Sequence, residues 1–146
     1  MMAARTAHSG TTLLAVVGIV AALADGVLAA IGATSWQSYR SGALTVEQTG
    51  PFMVMGASAA VGAVLALLAM IALLRGGRGL ARATLRLTWL RLGAVFIALV
   101  AVTLIAGISA AGVFGVTLAV GDALGGFVVT GVAARRTTVG HQPRRT

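Results

Sequence analysis

The sequence predicts an all-α fold: an integral membrane four-helix bundle, one domain over residues 1–146, with both termini on the cytoplasmic side. Three observations carry this expectation. Of the 146 residues, 58% are hydrophobic and 10% charged, where a soluble domain carries about 25% charged residues; the mean hydropathy is +0.98. Beyond the first apolar run, two further stretches leave room for three more spans of about 20 residues each. The arginines lie between and after these runs. With both termini inside, ten fall on the inner side and only Arg40 on the outer, the bias that orients spans.

The first span is expected over residues 11–33, TTLLAVVGIVAALADGVLAAIGA, where Asp25 is the one charge. At about 100° per residue, Gly18, Ala22, Asp25, Gly26, Ala29 and Ala33 fall on one side, and Leu13, Val16, Val20, Leu23, Val27 and Ile31 on the other. The thin side admits a neighbouring helix and the bulky side suits lipid, so Gly18, Ala22 and Gly26 are helix-packing candidates. Residues 1–10 followed by an apolar run resemble a signal peptide. The run exceeds the 7–15 residues of a signal core and Asp25 interrupts it, so a retained span is expected.

Residues 35–52 read as a long polar outer connection, with Trp36 and Tyr39 in the aromatic belt and Gly50-Pro51 turning into the next helix. The second span, residues 53–74, is small-residue-rich over 56–63 and leucine-rich after it. Residues 75–91, RGGRGLARATLRLTWLR, hold five of the eleven arginines. Arg75, Arg78, Arg82 and Arg86 share about 80° of a helical wheel, which predicts a basic helix lying on the headgroups. Arg75, Arg78, Arg82, Arg86 and Arg91 are therefore candidate contacts for anionic lipid. Gly76-Gly77-Arg78-Gly79 lacks the lysine and the strand of a phosphate loop. Residues 92–134 are too long for one span and are divided into 93–110 and 113–134 by a hairpin within GISAAGVFG. Residues 135–146 form a basic, polar tail expected to be disordered.

Composition also excludes. Without cysteine there is no disulfide, thiolate metal site or cysteine nucleophile. His8 and His141 lie in the polar tails and read as solvated. The net charge of +8 does not predict nucleic-acid binding, because the arginines flank apolar runs instead of forming a soluble basic face. No cofactor, metal site or catalytic residue is expected.

The chemistry-bearing residues are Asp25 and Asp122, the two acids inside the spans. Such residues mark functional sites by default. Asp25 precedes Ala33 by 8 positions and Asp122 follows Val113 by 9, so both lie about 12–14 Å below the outer surface. Asp122 shares a thin face with Gly115, Ala119 and Gly126, the last a further packing candidate; Ser58 and Thr103 fall near the same depth. No basic residue lies within the expected spans to neutralise the pair. Three readings stay open: a proton or cation site, a docking point for a partner subunit's cation, and protonated acids bonded across helices as structural glue.

The run VEQTGP before ASAAVGAVLALLAMIALL, the arginine loop and the closing hairpin resemble a family of uncharacterised small four-span bacterial membrane proteins over about residues 11–134. The chain departs from it where Gly121-Asp122 stands in place of a Met-His pair. The resemblance implies a four-helix membrane fold and no particular activity. The functional expectation is a non-enzymatic accessory or assembly subunit in a bacterial plasma membrane, contacting anionic lipids and either other membrane subunits or further copies of itself. The alternative is a small proton- or cation-coupled transporter or channel using Asp25, Asp122, Ser58 and Thr103.

Overall fold

A computed structural model describes residues 2–139, with side chains from Thr12 to Thr137. Four helices follow one another: α1 (Met2–Arg40), α2 (Val46–Arg75), α3 (Arg78–Ala106) and α4 (Ala110–Val139). All four are long and apolar enough to cross a membrane, so the protein is a small multi-span membrane protein with an all-α bundle fold. Every backbone donor and acceptor in hydrocarbon needs a partner, and helices supply one internally. The tail residues 140–146, with His141, and the side chain of His8 lie outside the described residues.

Each helix is longer than expected, and the first two connections are shorter. The outer connection shrinks to five residues, because α1 runs on through Trp36 and Tyr39, and α2 begins at Val46. The turn is held at α2 by Thr45, whose N–H donates to Gln48 Oε1 at 3.2 Å. Between α2 and α3 only Gly76 and Gly77 are non-helical; Gly76 takes φ 68°, a left-handed helix stop that glycine adopts without strain. The last hairpin is residues 107–109, earlier than expected.

The segment 75–91 is not a separate interfacial helix. From Arg78 it forms the first half of α3. Its buried residues Ala81, Thr84, Thr88, Arg91 and Val95 are spaced 3, 4, 3 and 4 apart, the seam of a helix packed in a bundle. The threonine hydroxyls do not oppose this burial: Thr84 and Thr88 donate back to the carbonyls of their own helix.

Helix α2 is the hub. It packs against α1, α3 and α4, whereas α1 touches α4 only slightly. Its partners approach closely because small residues meet: a Cβ on Gly32 of α1 would come 2.5 Å from Gly56 Cα of α2. The start of α1 and the end of α4 meet at one end of the bundle, where Ala15 packs with Met70 and Ala133.

Pro51 lies inside α2 and has no N–H for the Glu47 carbonyl one turn earlier. Ser109, in the last hairpin, donates its hydroxyl to that carbonyl at 3.1 Å. Ser109 Oγ itself accepts the Gly112 N–H at 3.0 Å and so caps α4. One serine thus satisfies a proline-freed carbonyl and a helix N-terminus.

Candidate functional site

The four helices each contribute one polar side chain to a cluster in the bundle interior: Asp25 from α1, Ser58 from α2, Arg91 from α3 and Asp122 from α4. Arg91 and Asp122 form an ion pair through Nη2 and Oδ2, with side chains 4% and 5% exposed. Arg91 Nε donates to Ser58 Oγ at 2.9 Å. The Asp25 carboxyl is buried beside that of Asp122, and the Arg91 guanidinium lies near enough to act on it electrostatically. No described buried side-chain nitrogen or oxygen lacks a hydrogen-bond partner.

The sequence makes room for this cluster with glycine. Gly62 of α2 and Gly126 of α4 both face Arg91 Nη1; a Cβ at Gly126 would come within 2.8 Å of it. The guanidinium plane fills the space that two side chains would otherwise take.

Arg91 is the correction to the expected site. Read as the last arginine of a lipid-facing loop, it is instead a buried residue of α3 and the cation for the acid pair. Sequence reasoning missed it by counting the arginine-rich segment as a loop. The signal that finds it is the 3–4 spacing Ala81, Thr84, Thr88, Arg91, Val95, a face of small, polar and β-branched residues set among leucines and Trp89.

The other expected residues divide. Ser58 joins Asp25 and Asp122 in the cluster. Thr103 lies three turns along α3 from Arg91 and donates to Leu99 O, so it takes no part. Arg75, Arg78, Arg82 and Arg86 are exposed at the end of the bundle that holds the α2–α3 turn. Gly18 lies against the Met70 side chain. Ala22 is half-buried, and Gly26 is exposed with open space beside it, so it packs no helix among the described residues. The reason is geometric: each step of four turns the wheel by about 400°, so two steps from Gly18 carry Gly26 about 80° off the seam.

Searches of protein-family models, curated proteins and solved structures find no match for the chain. The resemblance to four-span bacterial proteins therefore rests on hydropathy and short strings, and no family is assigned. Among the described residues no group of three or more His, Cys, Asp or Glu could hold a metal ion.

A groove of about 510 Å³ lies on the outer surface between α2 and α3, and reaches the cluster from the side. Val61, Leu87, Leu90 and Ala94 line it and are exposed, while Ser58 and Arg91 are its polar lining residues.

Proposed function

We propose that the protein is a small proton-coupled transporter or channel, with the Asp25–Asp122 pair as its proton site. Arg91 is a positioning residue that holds Asp122, and Ser58 in turn holds Arg91. The observation that carries this reading is the composition of the buried cluster: two neighbouring carboxyls and one guanidinium. Two carboxylates side by side in low dielectric repel each other, and one guanidinium balances only one of them, so the other carries a proton. With that proton the cluster is neutral, the state hydrocarbon tolerates; without it one net negative charge is buried. A metal cation fits less well. It would need several oxygen ligands and would stand beside Arg91.

The accessory-subunit reading loses one support and keeps another. Acids awaiting a partner's arginine are already served by Arg91 of the same chain. Gly26, Gly121 and Gly125, however, are exposed with open space beside them, and small residues on a lipid-facing surface admit another helix. This favours self-association or a membrane partner. The reading is non-enzymatic. It sets the basic end of the bundle, with Arg75, Arg78, Arg82 and Arg86, on the anionic inner face of a bacterial plasma membrane.

The test uses proteoliposomes containing a trapped pH dye under an imposed pH gradient, which drives both charged and electroneutral proton movement. Wild-type protein is expected to move protons faster than empty vesicles, and Asp25→Asn to abolish the difference while keeping its helical circular dichroism. An amide keeps the shape of the carboxyl and cannot titrate. Wild-type rates equal to those of Asp25→Asn and of empty vesicles would overturn the reading.

A further inference from the structure

We propose that the groove between α2 and α3 is a lateral binding site for a single-chain lipophilic carboxylate, gripped by Arg91. The inference rests on the proton-site reading and names the co-substrate of that site. The groove faces the hydrocarbon and has the size of a small-molecule site. Its exposed lining is apolar, and its buried polar members are Ser58 and Arg91. The one charge on its wall is a cation, which admits an anion and repels a lipophilic cation.

The grip follows from how Arg91 spends its donors. Nε points to Ser58 and Nη2 to Asp122. These two groups form one edge of the guanidinium, the edge whose parallel N–H bonds match both oxygens of one carboxylate. Here it is shared between one oxygen of Asp122 and a neutral hydroxyl. A carboxylate arriving over Ser58 replaces two single contacts by a bidentate one. Depth selects the ligand class. Arg91 stands 13 residues from Arg78 and 15 from Ala106, about 20 Å from either end of α3. A phospholipid keeps its phosphate at the interface, whereas a single-chain acid can carry its carboxylate that deep.

The exchange also couples ligand to proton. The groups facing Arg91 are Asp25 from α1, Ser58 from α2 and Asp122 from α4. Before binding, one proton is shared by the two acids and Asp122 balances the guanidinium. After binding, the ligand carboxylate balances the guanidinium, and Asp122 takes up a second proton. Anion and proton enter together and the cluster stays neutral.

The test uses the full chain in nanodiscs with a diazirine-bearing palmitic acid, its cross-links mapped by mass spectrometry. Labelling is expected at Val61, Leu87 and Leu90. Excess palmitate should compete and hexadecanol should not. Ala94→Trp, a change on the exposed groove wall that leaves the core intact, should reduce labelling about tenfold, the loss of one good contact. A pH indicator in weak buffer should record one proton taken up per acid bound by wild type, and none by the double variant Asp25→Asn/Asp122→Asn, which leaves no acid to accept it. Labels spread evenly over the outer faces of α1 and α4, or equal competition by hexadecanol, would overturn the groove site. Binding without proton uptake would overturn the exchange. If labelling fails while proton movement still depends on Asp25, only this inference falls. If labelling holds and proton movement does not depend on Asp25, the proton-site reading falls and an anion site remains.

Discussion

At the centre of a membrane helix an arginine costs about 2.5–3.5 kcal/mol on insertion scales, and the Arg91 side chain sits there 4% exposed. It is held because its charge meets Asp122, its Nε meets Ser58, and Gly62 and Gly126 leave room for the guanidinium plane. Cutting a buried pair on one side strands the other charge, which costs about 3–5 kcal/mol, whereas replacing both members by apolar residues of similar size is close to neutral. Asp122→Leu should therefore destabilise the bundle strongly, and adding Arg91→Met should restore most of the loss, as measured by unfolding in detergent. Equal stability of the single and double variants would show that the pair is not what balances Arg91.

At the element scale, α1 shows how one helix joins the bundle. Among its described residues the buried ones are Gly18, Asp25 and Gly32, seven apart, the period of helices that wind around each other left-handedly. The acid is thus set into the same seam as the two glycines, and the seam that brings α1 onto α2 also delivers Asp25 to Asp122. Gly32→Leu should prise α1 from the Gly56 backbone and lower stability by roughly 1–3 kcal/mol, the usual cost of overpacking. Gly26→Leu, six residues earlier and open to the outside, should be tolerated. Thermal unfolding of the two variants decides it; equal losses would mean that the face bearing Gly26 is also covered, by another copy or a partner.

The whole molecule is built around α2, which touches every other helix while α1 stands at the edge. Its exposed arginines are unevenly placed: Arg75, Arg78, Arg82 and Arg86 cluster around the α2–α3 turn, and Arg135 and Arg136 close α4 at the same end. The opposite end carries Arg40 and Glu47. Positive charge is retained inside, so a cysteine at Ser41 should react with an impermeant thiol reagent added outside, and one at Gly79 should not. Both positions are exposed, so accessibility does not confound the comparison, as it would at buried Thr84. The opposite labelling pattern would invert the orientation.

Membership of the membrane class and the presence of four helices were legible in the sequence, because apolar length and charge spacing are properties of the chain itself and the bilayer selects on them directly. So was the prominence of Asp25 and Asp122, since an acid in an apolar run is costly wherever it packs. Depth counting led to their pairing. Helix ends were less legible: Trp36, Tyr39 and the residues after Arg78 look polar or amphipathic, yet helices continue through them because nearby turns are short and packing extends past the apolar core. Only the tertiary structure decided the role of Arg91. Charge counted along the chain assigns an arginine to the nearest polar segment, but burial depends on which face of α3 meets α2 and α4. That face is set by small residues on the partner helices, Gly62 and Gly126, whose effect lies in the space they leave.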